Sequence, residues 1–154
     1  MIMVDTNVFY NFLFETKLTG KASKIFELGE QLFTSFTIIN ETLYIISRKM
    51  AERKFNIKSS RKFREFISDG GYEPFVEELM KFFNLLDDFY IVVLKDYQNV
   101  TEIWELMKNC KLLPNDALIA ATCKHHGIKK IATFDEDFKR VDFLEIVEVA
   151  EAGG

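Results

Sequence analysis

The chain has 154 residues, enough for one domain that buries a sizeable core without a disulfide or a structural metal. Hydrophobic residues make up 48% and charged residues 29%, with 7 Gly and 2 Pro, which excludes bulk disorder and fibrous or low-complexity architectures. A formal net charge of −4 excludes a bulk-basic nucleic-acid binder but leaves room for a local basic patch.

In chain order, Ile2–Val4 is short, apolar and stopped by Asp5, the pattern of a buried strand. Asn7–Phe14 has helical spacing, and a second short helix is predicted between Gly20 and Gly29. Gln31–Phe36 reads as a strand, and a helix follows from about Ile39 to Phe55. Two amphipathic helices, Ser59–Ser68 and Glu73–Asp87, are separated by the turn Asp69-Gly70-Gly71. Phe89–Leu94 is β-branched and aromatic on both faces, and predicts a strand covered on both sides. Helices are expected over Asp96–Asn109 and Asn115–His126, and strands over Ile131–Phe134 and Leu144–Val149. Alternating strands and helices argue for an α/β domain with a parallel sheet. A single domain over residues 1–150 is expected, with a frayed tail at 151–154.

The only cysteines, Cys110 and Cys123, form no disulfide framework, and a reducing compartment is the simpler reading. No signal peptide is predicted, because Asp5 interrupts any apolar leader. The longest aliphatic-aromatic run falls far short of the ~20 residues of a membrane span. A soluble cytoplasmic protein is expected, with no membrane partner.

The acids fall at matching places on this map. Asp5 follows the first strand, Glu41 is expected in the first turn of the helix after the second, and Asp116 lies in the first turn after Pro114. Asp135 and Asp137 follow the strand Ile131–Phe134. Ligand sites of open α/β sheets lie outside the carboxyl ends of the strands, so four segments would deliver an acid to one edge. Converging carboxylates repel one another, and a divalent cation relieves this; an all-oxygen donor set favours Mg²⁺ or Mn²⁺. Each acid also has a plain structural use: Asp116 and Glu41 as helix-capping acids, and Asp135 and Asp137 as turn residues. Asp5 has few such uses, and the conjunction counts for more than any member.

Met3-Val4-Asp5-Thr6-Asn7-Val8 resembles the opening of PIN-domain nucleases, the group that includes VapC-type toxins. Asn40-Glu41 matches the second acid of that family, and Leu113-Pro114-Asn115-Asp116-Ala117-Leu118-Ile119-Ala120-Ala121 resembles its third-acid helix. Ile131-Ala132-Thr133-Phe134-Asp135-Glu136-Asp137-Phe138 resembles its terminal strand and fourth-acid loop. The motifs come in family order and span nearly the whole chain, whereas residues 56 to 88 carry no family motif.

The resemblance implies a three-layer α/β/α fold around a mostly parallel sheet of four to five strands. It implies Mg²⁺- or Mn²⁺-dependent cleavage of RNA, a homodimer and, in a toxin role, an antitoxin protein as partner. Asp5, Glu41, Asp116 and Asp135 would be the catalytic acids. Asp5 and Asp116 would be the principal metal ligands, with Asp135 and Asp137 assisting and Glu41 positioning or deprotonating the attacking water. Thr6, Asn7 and Thr133 would orient the carboxylates through hydrogen bonds. Phosphodiester hydrolysis suits such a site, since a metal activates water and neutralises charge on the phosphate oxygens.

Two rival classes remain in view. One is a Mg²⁺-dependent phosphatase or phosphotransferase with Asp5 as nucleophile, although haloacid-dehalogenase-type enzymes place a second Asp where Asn7 stands. The other is a non-catalytic PIN-like RNA-binding or scaffold module.

The segment 48–64 holds eight basic residues (Arg48, Lys49, Arg53, Lys54, Lys58, Arg61, Lys62, Arg64) and one acid, Glu52. Its charge is 8 − 1 = +7, so the rest of the chain carries −4 − 7 = −11. Such asymmetry points to a phosphate-contacting face beside the acidic cleft, or else to a solvated helix surface. His125 and His126 adjoin Cys123, but the spacing fits no common zinc pattern, and a helix C-terminus explains a histidine more simply. The run Phe63, Phe66, Tyr72, Phe75, Phe82, Phe83 and Phe89 reads as core, with a partner surface as the alternative.

Overall fold

The computed structural model describes residues 1–150; the expected tail at 151–154 lies outside the described residues. Five parallel strands form one sheet: β1 (Ile2–Val4), β2 (Leu32–Ser35), β3 (Val92–Leu94), β4 (Lys130–Ala132) and β5 (Glu145–Ile146), in the spatial order β3-β2-β1-β4-β5. Helices α1 (Thr6–Leu13), α2 (Thr19–Phe26), α3 (Phe36–Phe55), α4 (Ser60–Gly70), α5 (Val76–Asp88), α6 (Val100–Cys110) and α7 (Pro114–His125) complete a three-layer α/β/α arrangement. Short 3-10 turns occupy Glu73–Phe75 and Glu136–Arg140. Among the described residues no helix is long and apolar enough to cross a membrane.

The central strand β1 is buried along its whole length, flanked by β2 with Ile2 opposite Leu32 and by β4 with Val4 opposite Ala132. From β1 the chain moves outward to β2 and β3 on one side, then returns to place β4 on the other. The reversal of strand order therefore lies between β1 and β4, where open α/β sheets form their ligand crevice. Aromatic packing fixes the surrounding helices. Phe9 meets Phe82 edge-on at 5.2 Å between centroids, and Phe26 and Phe89 join the same cluster. A second cluster of Phe55, Phe66 and Phe75 ties the end of α3 to α4 and to the 3-10 turn that precedes α5. Of the aromatic run in the middle segment, Phe63, Phe75 and Phe82 are buried, whereas Tyr72 and Phe83 are exposed.

Three expectations about local structure are corrected. The run Phe89–Leu94 is not a strand covered on both sides. Tyr90 takes a left-handed conformation (φ 52°), which delays the strand to Val92, and β3 pairs only with β2. Val92 and Val93 are accordingly 42% and 44% exposed, which marks an edge strand. The helix after it starts at Val100 rather than Asp96. The Asp96 carboxylate instead accepts hydrogen bonds from the Thr37 amide (3.1 Å) and hydroxyl (2.9 Å), while Asn99 caps α6 through the Glu102 amide (3.0 Å). Helix α3 begins at Phe36, capped by Ser35 on the Ile38 amide (3.3 Å). Glu41 consequently lies in the second turn, and the capping use considered for it falls away.

Candidate active site

Asp5 leaves the end of β1 and has a structural use that sequence alone missed. It is the N-cap of α1, with Oδ1 accepting from the Thr6 amide at 2.8 Å. Its other oxygen accepts from the Thr133 hydroxyl at 2.8 Å, just beyond β4. That hydroxyl in turn accepts from the Asp135 amide (3.0 Å) and from Asn7 Nδ2 (3.1 Å), and Asn7 Oδ1 accepts from the Phe134 amide (3.0 Å). Thr133 and Asn7 thus lock the loop after β4 to the start of α1 and fix where Asp5 and Asp135 stand.

Glu41, on α3, is held from both sides. Thr6 Oγ1 donates to Oε2 at 3.0 Å and Asn115 Nδ2 donates to Oε1 at 2.7 Å. Asn115 was legible only as part of the motif around Asp116; its orienting bond needs the fold. Asp116 is the third residue of α7, whose N-cap Leu113 makes no side-chain bond and whose first residue is Pro114. Asp116 is therefore not a cap. It stays in the favourable field of the helix N-terminus while its carboxylate faces the cleft.

Asp135 caps the 3-10 turn through the Asp137 amide at 2.9 Å. Asp137 accepts from Arg140 Nη1 at 3.0 Å, and the same guanidinium donates to the carbonyls of Cys110 (2.7 Å) and Lys111 (2.8 Å). Arg140 so joins the open C-terminal end of α6 to the acidic loop.

The result is a cleft of about 360 Å³ lined by Asp5, Thr6, Asn7, Tyr10, Glu41, Ile45, Asp116 and Asp135. Within it and at its rim, Asp116, Asp135 and Asp137 can bring one carboxylate oxygen each to within 4.8 Å of the others. Tyr10 and Ile45 give the cleft apolar walls, and nothing in their sequence context singles them out from core residues.

The electrostatics are those of crowded, partly dehydrated acids. Burial, offset in part by the Thr133 and Thr6 hydrogen bonds, pushes the Asp5 carboxyl up to about 7, with Asp116 and Glu41 adding repulsion. Asp116 is raised to about 6, again first by burial and then by Asp135, Glu41 and Asp137, while Arg140 works in the other direction. Beneath the cleft, burial lifts the Cys123 thiol to about 12. The chemistry of the donor set fits a hard divalent cation: every candidate ligand is a carboxylate, and added positive charge would return both raised groups to their ionised forms.

The histidines lie elsewhere. His125 stacks on Tyr97 at 4.1 Å between ring centroids, and His126 Nε2 lies 3.4 Å from the Lys95 carbonyl. Among the described residues the only grouping of three or more potential metal-binding side chains is the acidic one.

The basic segment divides into two. Lys54 is engaged by Glu78 (3.3 Å) and the Pro74 carbonyl (2.8 Å), Arg53 lies 5.0 Å over the Phe14 ring, and Arg61 pairs with Glu65 on its own helix. Lys49, Lys58, Lys62 and Arg64 have no ion pair or side-chain hydrogen bond among the described residues. Arg48 bridges α3 to the start of α4 through Tyr44, Ser60 and the Lys58 carbonyl.

Comparison with known proteins agrees with this geometry. The family model described as PIN domain matches residues 2–144. Ribonuclease VapC2 of Methanocaldococcus jannaschii is 39% identical over 139 residues, covering 86% of each chain. Among solved structures, Mycobacterium tuberculosis VapC20, described as a Sarcin-Ricin loop cleaving toxin, superposes with a TM-score of 0.65 at 16% identity, covering 94% of this chain and 97% of that one. Rickettsia felis VapBC2, solved on a DNA fragment from its promoter, gives 0.58 at 17% identity, covering 96% and 98%. At those identities the two structures speak for the fold alone.

Proposed function

The chain belongs to the PIN-domain family, and we propose that it is a Mg²⁺- or Mn²⁺-dependent ribonuclease that hydrolyses RNA phosphodiester bonds in the carboxylate cleft. The observation that carries this reading is the convergence of Asp5, Glu41, Asp116 and Asp135, from four separate segments, on one cleft at the carboxyl edge of the sheet. Asp5, Asp116 and Asp135 would hold the cation, with Asp137 assisting. A divalent ion there supplies positive charge against the phosphate oxygens and eases deprotonation of the attacking water.

The remaining roles fall to side chains of this chain. Thr6 and Asn115 fix both oxygens of Glu41, which leaves its remaining lone pairs to orient the water and accept its proton. The new bond joins the water oxygen to phosphorus, the bond from phosphorus to the ribose oxygen breaks, and that leaving oxygen takes a proton from solvent. Thr133 and Asn7 keep Asp5 and Asp135 in place while the charge on the phosphate changes. The 39% identity to a ribonuclease VapC supports RNA as the substrate, and the reading extends to a toxin role in the cytoplasm, an antitoxin protein as partner and a homodimer.

The test is cleavage of a mixed pool of ribosomal, transfer and messenger RNA by purified protein in Mn²⁺ and in EDTA. Cleavage in Mn²⁺, none in EDTA, and loss in Asp5→Asn and Glu41→Gln is the expected pattern. Wild-type turnover by Asp5→Asn would overturn the assignment.

A further inference from the structure

Glu41 is not the last residue of α3 to face the cleft. Ile45 lines it one turn on, and Arg48 follows at the next turn of the same face. Beside them stands Tyr44, a residue 51% exposed only three positions from Glu41. This ring is not a loose surface tyrosine. It packs perpendicular to the buried Phe63 of α4 at 5.8 Å between centroids, and its hydroxyl accepts from Arg48 Nη1 at 2.9 Å. Positive charge surrounds it: Arg48 and Arg64 both lower the Tyr44 phenol, Arg48 chiefly by its hydrogen bond. Arg48 uses three of its five N–H donors on Tyr44, Ser60 and Lys58, which leaves two without a partner among the described residues. Lys58, just before α4, and Lys62 and Arg64 on its first turns add charge without an ion pair among the described residues.

We propose that Tyr44, framed by Arg48 and Arg64, is a stacking platform for a base of the single-stranded RNA that enters the carboxylate cleft. The proposal rests on the ribonuclease reading above and adds the direction in which the strand runs, from Glu41 along α3 towards α4. The physical case is complementarity. A polyanion cannot approach a cleft of four or five acids without neutralisation, and the basic segment begins on the face that continues from Glu41. A ring clamped by Phe63 and Arg48 offers a base its exposed surface with little conformational freedom to lose, and stacking accepts any base. Guanidinium groups beside the ring can take the flanking phosphates.

The test reads binding rather than turnover. A fluorescein-labelled single-stranded RNA is titrated with protein in EDTA, where no cleavage occurs, using wild type, Tyr44→Leu and Tyr44→Phe. Leucine preserves apolar packing on Phe63 and removes the aromatic face; phenylalanine keeps the face and removes the Arg48 bond. Tyr44→Leu is expected to weaken binding by about 5-fold to 150-fold, and Tyr44→Phe to stay within about threefold of wild type. The same RNA carrying one abasic ribonucleotide, walked along the strand, should reveal one position at which the losses from Tyr44→Leu and from the missing base are not additive. Tyr44→Leu binding as tightly as wild type, Tyr44→Phe losing as much as Tyr44→Leu, or additive losses at every position would each overturn the proposal. Wild type that cleaves in Mn²⁺ while these results fail would sink the platform alone; wild type that never cleaves would sink the ribonuclease reading.

Discussion

Replacing Asp116 by Asn should stabilise the metal-free protein while removing its activity. The Asp116 carboxyl is raised from 3.8 to about 6. Two pH units correspond to about 3 kcal/mol of cost for holding the charged form in the fold. Asp116 is only partly buried, so solvent screening reduces this to roughly half. Losing the attraction between the charge and the N-terminus of α7 costs about 0.3–1 kcal/mol. No cap is lost, because Asp116 caps nothing and its carboxylate makes no hydrogen bond among the described residues. The net gain is about 1 kcal/mol, or ~2–4 °C in Tm for a chain of this size. The folded-state pKa lies above the unfolded value, so the wild-type penalty is full above about pH 7 and fades as pH falls towards 4. Thermal melts of both proteins in EDTA should therefore show the variant ahead at pH 8 and level at pH 4. Saturating Mn²⁺ should reverse the order at pH 8, since only wild type gains from tight binding. A variant less stable than wild type at pH 8 in EDTA, or an advantage that does not shrink at pH 4, would refute the crowded-carboxylate reasoning.

Three further outcomes are expected. Thr133→Val removes the hydroxyl that donates to Asp5 and accepts from the Asp135 amide and Asn7; chemical denaturation should show a loss of about 1–3 kcal/mol, and Mn²⁺ affinity by calorimetry should fall about 10-fold to 100-fold. Arg140→Met frees Asp137 and leaves the Cys110 and Lys111 carbonyls without their donor, so weaker Mn²⁺ binding, by about 10-fold or more, should accompany a lower Tm; unchanged Mn²⁺ affinity would confine Arg140 to closing α6. Charge reversal at Lys62 and Arg64 should flatten the log–log salt dependence of RNA binding by about 0.7 per lost phosphate contact, whereas Lys54→Glu should lower the Tm by placing a second acid against Glu78 and leave the salt slope intact.

The skeleton of the site was legible because two of the strands that carry it are short apolar runs with an acid at or soon after their end. Asp5 directly follows Ile2–Val4, and Asp135 follows Lys130–Ala132 after Thr133 and Phe134, which announces both the strand and the edge it points to. What stayed hidden depends on neighbours rather than on pattern. Val92 and Val93 have the composition of a covered strand, but composition does not say whether a strand has a neighbour on one side or two, and β3 has one. The start of α3 was placed late because Phe36 and Thr37 look like strand residues until the Ser35 hydroxyl claims the Ile38 amide and the Asp96 carboxylate claims that of Thr37. Asp5 was taken as a purely functional charge, yet it also caps α1, so one carboxylate both builds the helix and lines the cleft. Asn115 and Arg140 act across 74 and 29–30 residues of sequence, and no local spacing reveals such bonds. The basic run was read as one face, but folding commits Arg53, Lys54 and Arg61 to intramolecular partners. Roles for individual acids came from the resemblance to PIN-domain nucleases, not from their spacing.

The central claim is that these acids form a divalent-metal centre. Its most direct test is anomalous scattering from a crystal of the wild-type protein grown in saturating Mn²⁺. The expected result is a Mn²⁺ peak in the cleft bounded by Asp5, Asp116 and Asp135, within direct coordination distance of the carboxylate oxygens, and no peak there in a crystal of Asp116→Asn. A fully ordered cleft without a peak, or Mn²⁺ bound at His125 and His126 instead, would contradict it.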